Sequence, residues 1–200
     1  AEARVDASPC MTAPRPCTLA FVRLVDGQAS YAFYDEGTAG RMLTEADLPP
    51  VQAQALFFGG ISLVVEPCAL AYEALLQREA GRRVVMIDPN IRPGFVTDEP
   101  AYRARIGRML ARADIVKLSR EDLDWLAPGQ GEGFVAGLLA GGTALVLLTD
   151  GQKGASAITP RHRIAEPARK VTVVDTVGAG DTFNAGVLAS LQKAGLLTRA

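Results

Sequence analysis

The sequence predicts a three-layer α/β/α sandwich with a mostly parallel sheet, helices on both faces and a small β appendage ahead of it. Three observations predict this. From Leu56 onward, short apolar runs alternate with segments of helical periodicity, as strand–helix units with a buried parallel sheet do. Before that point two β-rich runs, CTLAFVRLV and ASYAFYDE, are separated by Asp26-Gly27, a pair that favours a hairpin turn. Near the end a Gly-Ala-Gly turn joins the apolar run KVTVV to a helical pattern.

Residues 1–16 are rich in Pro, Ala and Ser and predict a linker; residues 17–45 predict the hairpin unit; residues 46–200 predict the α/β domain. The composition shifts between Leu43 and Gln54. ALFFGG predicts a buried strand, followed by a helix over Glu66 to Ala80 with Leu70, Ala71, Ala74 and Leu75 on one face. RVVMID predicts the next strand. Tyr102, Ile106, Met109, Leu110 and Ala113 fall at helical spacing, and Arg103, Arg105, Arg108 and Arg112 are expected on the solvated surface of that helix. ADIVKLS and TALVLLTDG predict two further strands, with helices over Arg120 to Leu126 and around Phe134 to Leu139 between them. GASAITP and KVTVVDT are the last short runs, with His162 in a polar turn between them.

The 200 residues are 48% hydrophobic and 22% charged, which suits a globular chain with a sizeable core. With 21 basic and 22 acidic residues there is no cationic excess to neutralise nucleic acid or an anionic membrane. No apolar run reaches the roughly 20 residues of a membrane helix, the start lacks a signal-peptide pattern, and a cytoplasmic protein is expected. Cys10, Cys17 and Cys68 with the single His162 support neither a disulfide framework nor a zinc site. Free thiols and a surface histidine are expected.

DTVGAGDTFNAGVLASL carries the most chemistry. Its two glycines let backbone approach a ligand, and the helix start presents unpaired N–H groups with partial positive charge. Such a nest holds a phosphate or the charge on a phosphoryl group in transfer. Asp181 stands at the same helix opening, where its carboxylate could take a proton from a hydroxyl nucleophile. Capping the helix is the competing role for Asp181.

Asp175-Thr176-Val177-Gly178-Ala179-Gly180-Asp181-Thr182-Phe183 resembles the signature of the PfkB, or ribokinase-like, family of carbohydrate kinases. The resemblance implies that Asp181 is the catalytic base and that Gly178, Ala179 and Gly180 form the anion hole for the γ-phosphoryl group of ATP. It also implies a monovalent cation such as K⁺ held partly at Asp175 and Val177. Asp88-Pro-Asn90-Ile-Arg92 looks like the family's DPNxR element, so Asp88, Asn90 and Arg92 are expected at the sugar; a plain turn explains the same letters. Lys117-Leu-Ser119-Arg-Glu-Asp122 resembles the N-x-x-E element near metal and phosphates, with Ser119 in place of Asn and Asp122 in place of Glu. A role for Asp122 at Mg²⁺ is thereby implied, while a serine N-cap with acidic first-turn residues accounts for it equally. Thr149-Asp-Gly151-Gln-Lys-Gly154 resembles the T-x-G-x-x-G turn at the nucleotide phosphates, so Thr149, Gly151 and Gly154 are implied there; a hairpin turn is the alternative. Lys153 is expected in solvent.

The hairpin from Thr18 to Tyr34 corresponds to the family's β-lid, which closes over the sugar and excludes water. Its AFV and FYDEGTA stretches are similar to bacterial fructokinases, which makes fructose the expected sugar and 2-keto-3-deoxygluconate the second. Lid pairing in the family implies a homodimer. No N-terminal strand with a substrate-binding Asp and no Gly-Gly-x-x-x-Asn element precedes Thr18, and no adenine-enclosing segment follows Ala200. These 200 residues alone are therefore expected to phosphorylate sugar poorly. A non-catalytic nucleotide or sugar binder is the reading of a different class, disfavoured by the intact GAGD turn. A Rossmann dehydrogenase lacks its G-x-G-x-x-G.

Overall fold

The computed structural model describes residues 5–25, 28–173 and 175–198. A two-stranded antiparallel hairpin, β1 (Leu19–Val25) and β2 (Gln28–Tyr34), precedes a six-stranded sheet. That sheet comprises β3 (Ala55–Gly59), β4 (Val84–Asp88), β5 (Ile115–Ser119), β6 (Leu145–Thr149), β7 (Ala155–Ile158) and β8 (Arg163–Glu166), adjacent in chain order. β3 to β6 run parallel; β7 and β8 fold back antiparallel. The predicted hairpin turn at Asp26-Gly27 lies outside the described residues.

Alternation along the central strands gives the sheet its two cores. Val85, Ile87, Val116, Leu118, Val146 and Leu148 face α1 (Cys68–Glu79), α2 (Glu99–Leu110), α3 (Arg120–Leu126) and α4 (Gly131–Ala140). Met86, Ile115 and Leu147 face α5 (Ala179–Lys193), through its Phe183, Val187, Leu188 and Leu191. Period-two strands thus serve two helical layers at once, as the sandwich requires. Asp98 caps α2 by accepting from the Ala101 N–H at 3.0 Å, and a Ser119/Asp122 capping box opens α3.

Four expectations are corrected. β3 is an edge strand rather than a buried one, and only Phe58 of it is buried, with Phe57 46% exposed. The buried face of α1 runs through Cys68, Ala71, Leu75 and Leu76, leaving Leu70 exposed and Ala74 half-buried. Arg105 is not on the solvated face of α2 but 3% exposed, donating to the Leu63 and Val64 carbonyls and to Glu66 Oε1 at 3.3, 3.2 and 2.7 Å. Lys170 to Val173 form no strand, and Val171 and Val173 are exposed. The last strand is instead Arg163–Glu166, drawn from the short mixed stretch after His162 because a turn closed by Thr159 N–H on His162 O at 2.8 Å pairs it with β7. Backbone pairing at an edge tolerates charged, exposed side chains. His162 does lie in that turn, exposed.

Candidate active site

The carboxyl ends of the parallel strands converge on the functional segments, where open α/β sheets bind ligands. Asp88 ends β4, beside Gly59 of β3; Ser119 ends β5, beside Thr149 of β6. A cavity of about 270 Å³ opens there, lined by Asp88, Asn90, Arg92, Gly178, Gly180 and Asp181 and by Phe33 of the hairpin. Phe33 packs edge-on against Phe95 at 4.9 Å between centroids, so hairpin and domain touch at the cavity wall. Asn90 adopts a positive φ of 45°, a conformation asparagine tolerates in turns.

Gly178 is the N-cap residue of α5, with φ 77° and ψ 0°, and no side chain caps the helix. Asp181 is therefore the third residue of the helix, not its cap. The Ala179 N–H turns back to Thr176 O at 3.3 Å, and Ala179 does not line the cavity; the Gly180 and Asp181 amides have no acceptor among the described residues. Two open amides and a left-handed glycine make a concavity for an anion at the positive end of a 15-residue helix. The Asp181 side chain is exposed on the cavity wall, with no ion pair among the described residues.

Beneath the nest lies a polar knot. Asp88, Lys117 and Asn184 are each at most 4% exposed. Lys117 Nζ sits 3.0 Å from Asp88 Oδ2, and Asn184 Nδ2 donates to the same oxygen at 2.7 Å. Asp88 Oδ1 accepts the Asn90 N–H at 3.2 Å. Sequence reasoning passed over Lys117 and Asn184. The signal for Lys117 was available: a lysine in the middle of the apolar strand IVKLS must be paired if the strand is central. Asn184 carried no such signal, being one polar residue among several on its helix.

Other expected site residues lie elsewhere. Asp122 is 2% exposed and accepts from Ile91 N–H at 2.7 Å and Ser119 N–H at 2.9 Å; it lies near enough to Tyr102 that its charge, after burial, pushes that phenol up. It does not line the cavity and fits the capping role. Ser119 is the N-cap, its hydroxyl accepting from Asp122 N–H at 3.0 Å. Gly154 lines a second cavity of about 310 Å³ with Arg120, Asp150, Lys153 and Glu166; Thr149 and Gly151 line neither. Val177 lines the first cavity, and its N–H donates to Asp175 Oδ1 at 2.9 Å. No cluster of three or more His, Cys, Asp or Glu suited to a metal occurs among the described residues. No described helix is long and apolar enough to cross a membrane.

Comparison with known proteins bears on the fold and the family. A fructokinase of Rhizobium leguminosarum bv. trifolii is 58% identical over 198 residues, covering 98% of this chain and 61% of that protein. The crystal structure of fructokinase with bound ATP from Xylella fastidiosa superposes with a TM-score of 0.80 at 28% identity, covering 91% of this chain and 58% of that one. The structure of fructokinase from Vibrio cholerae O395 in its fructose, ADP and calcium ion bound form gives 0.73 at 28% identity, covering 84% and 58%. The chain thus spans about three fifths of the length of these relatives. Residues 1–200 match the family described as pfkB family carbohydrate kinase. With the strand-end cavity, the helix-start nest and this match over its length, the chain belongs to the pfkB family of carbohydrate kinases.

Proposed function

We propose that this chain carries the phosphoryl-transfer site of an ATP-dependent fructokinase. The observation that supports it best is an exposed Asp181 lining the same cavity as Asp88, Asn90, Arg92 and Gly180, whose amide has no acceptor among the described residues. In this mechanism the primary hydroxyl of fructose is oriented by Asp88, Asn90 and Arg92. Asp181 takes its proton as the oxygen attacks the γ-phosphorus of ATP, the bond from that phosphorus to the β–γ bridging oxygen breaks, and ADP leaves with the bridging oxygen. The Gly180 and Asp181 amides, at the helix N-terminus, accept the negative charge that develops on the moving group. Phe33 and the hairpin cover the cavity and keep water from competing as nucleophile.

ATP supplies the γ-phosphoryl group. The nest fits a phosphate, and Thr149, Ser119, Gly151 and Gly154 remain the residues proposed for the rest of the nucleotide. Mg²⁺ is proposed to arrive on the phosphates with its waters, since Asp122 has both oxygens engaged by backbone N–H groups. A monovalent cation is proposed at Asp175 and Val177: Asp175 is exposed, and its second oxygen has no partner among the described residues. A second copy of the chain is the proposed partner of the hairpin, on its exposed Leu19, Phe21 and Tyr34, and the proposed setting is the cytoplasm.

The test is a panel of fructose, 2-keto-3-deoxygluconate and other sugars with ATP, using the protein at its full natural length. Asp181→Asn should lower kcat by roughly 100-fold or more while nucleotide affinity stays near the parent's. Activity retained in that variant removes the base assignment.

A further inference from the structure

Lys117, like Asn184 beside it, is a buried group of the site that the mechanism above leaves without a task. It projects from a central strand, is 4% exposed, and faces Asp88 on the sugar side of the cavity. It also reaches the phosphate side: a carbon added at Gly180 would lie 3.7 Å from Lys117 Nζ. The ammonium therefore sits against the residue whose open amide belongs to the nest. Asn184, one turn further along α5, shares the same Asp88 oxygen and keeps its own Oδ1 buried without a partner among the described residues. Three elements, β4, β5 and α5, are thus tied at one carboxylate oxygen directly under the reacting groups.

A buried ion pair is a costly way to hold a fold. Well-packed apolar residues of similar volume do as well or better for stability, so a pair placed here is better explained by what it positions. The distances define that task. Asp88 lines the sugar side of the cavity, Gly180 and Asp181 line the phosphate side, and the Lys117 ammonium pairs with Asp88 while lying close to Gly180. Slippage of α5 along the sheet would separate donor amides from acceptor hydroxyl, and misplacement on the order of 1 Å can lower a rate roughly 100-fold.

We propose that Lys117 is a positioning residue for phosphoryl transfer, locking the first turn of α5 against Asp88 so that the nest amides and Asp181 keep a fixed place relative to the sugar. This rests on the kinase reading of the same site. The experiment compares Lys117→Met with the natural sequence at full natural length, measuring kcat, KM for fructose and ATP, melting temperature, and affinity for ADP with and without aluminium fluoride as a mimic of the group in transfer. The expected result is a kcat lower by roughly tenfold or more with both KM values within about threefold. Affinity for ADP with aluminium fluoride should fall by a similar factor, while affinity for ADP alone holds.

Because Lys117→Met strands a buried carboxylate and could unfold the chain, the paired Lys117→Met/Asp88→Asn variant is measured beside it, along with Asp88→Asn alone. The pair should recover the melting temperature, with a kcat lower than that of Asp88→Asn alone by roughly tenfold. A pair whose kcat lies within about threefold of Asp88→Asn alone would mean that Lys117 only neutralises Asp88 and would overturn the proposal, as would a Lys117→Met protein with unchanged kcat. Absence of turnover by the natural protein overturns the kinase reading and this inference together, whereas turnover that is indifferent to Lys117 overturns this inference alone.

Discussion

Gly154→Ala should cost this chain far more stability than Gly151→Ala, three residues away in the same turn. Gly154 has φ 104° and ψ −147°, a region occupied essentially by glycine alone. A Cβ there would lie 2.0 Å from Glu166 O, 2.8 Å from Ala168 N and 2.8 Å from Pro167 Cα. All three are backbone atoms, so no side chain can rotate away. The conformation costs roughly 1–3 kcal/mol, and overpacking against fixed atoms roughly 1–3 more. About 4 kcal/mol in a domain of this size lowers the melting temperature by roughly 8–16 °C. Gly151 has φ 48° but open space where its Cβ would be, so it carries only the left-handed penalty of roughly 1–2 kcal/mol. Thermal unfolding followed by circular dichroism on both variants gives the comparison. A Gly154→Ala protein that melts no lower than Gly151→Ala would refute the steric reasoning. The sequence pointed to nucleotide for both glycines; at Gly154 the close approach that demands glycine is made by the chain's own residues 166–168.

Two further outcomes follow from the burial of particular groups. Glu79 is held below its usual 4.5 by hydrogen bonds from Arg83 and then Arg78, against the opposing effect of burial, and Arg83 also donates to the Val51 and Ala53 carbonyls. A depressed carboxylate contributes stability that is present above about pH 4.5 and lost as pH falls through the folded value; urea unfolding should therefore show Glu79→Gln less stable than the parent at pH 7 and equal to it near the acid limit, and a gap that persists there would count against the pairing. Cys68 is buried, donates to the Val65 carbonyl at 3.1 Å and has its thiol pushed up by burial, whereas Cys10 and Cys17 are exposed; a thiol reagent on the folded protein should modify Cys10 and Cys17 quickly and Cys68 only on unfolding, and fast labelling of Cys68 would contradict its placement.

What the sequence makes legible depends on how local the cause is. RVVMID, ADIVKLS and TALVLLTDG become β4, β5 and β6 because a run of apolar residues between helical segments has few other uses. The helix over Arg120 to Leu126 is readable to the residue, since Ser119 and Asp122 spell its start. β8 is not readable, because Arg163-Ile-Ala-Glu166 is too short and too mixed to show a strand pattern and only the turn at Thr159 to His162 gives it a partner. Arg105 looks like its neighbours Arg103 and Arg108; what buries it is the carbonyls of Leu63 and Val64, some 40 residues earlier in the chain. Within the site, Asp88, Asn90, Arg92, Gly178, Gly180 and Asp181 were named from their motifs and meet in one cavity. Lys117 was passed over although a lysine inside an apolar strand signals a buried partner, and Asn184 was not readable at all, since its significance arises only when it meets Asp88, 96 positions earlier in the chain.

The site's two halves differ in a way that bears on how such a centre works. Its floor, Asp88 with Lys117 and Asn184, is buried and hydrogen-bonded. Its upper wall is open: Asp181 is exposed, the Gly180 and Asp181 amides have no acceptor among the described residues, and the hairpin touches the domain there through Phe33 against Phe95. A buried charge pair is rigid because moving either partner exposes the other to an unpaired state in low dielectric. An exposed carboxylate and bare amides are adaptable, since water satisfies them until a ligand replaces it. Preorganised charge under the reacting atoms combined with an open entrance lets the donors be fixed before the ligand arrives, so that little reorganisation is left for the moment of transfer. If the proposed kinase reading holds, the hairpin has to supply exclusion of water rather than catalytic groups, and in the protein at full natural length loss of Phe33 should raise ATP hydrolysis relative to sugar phosphorylation, measured as ADP and sugar phosphate released, instead of abolishing both.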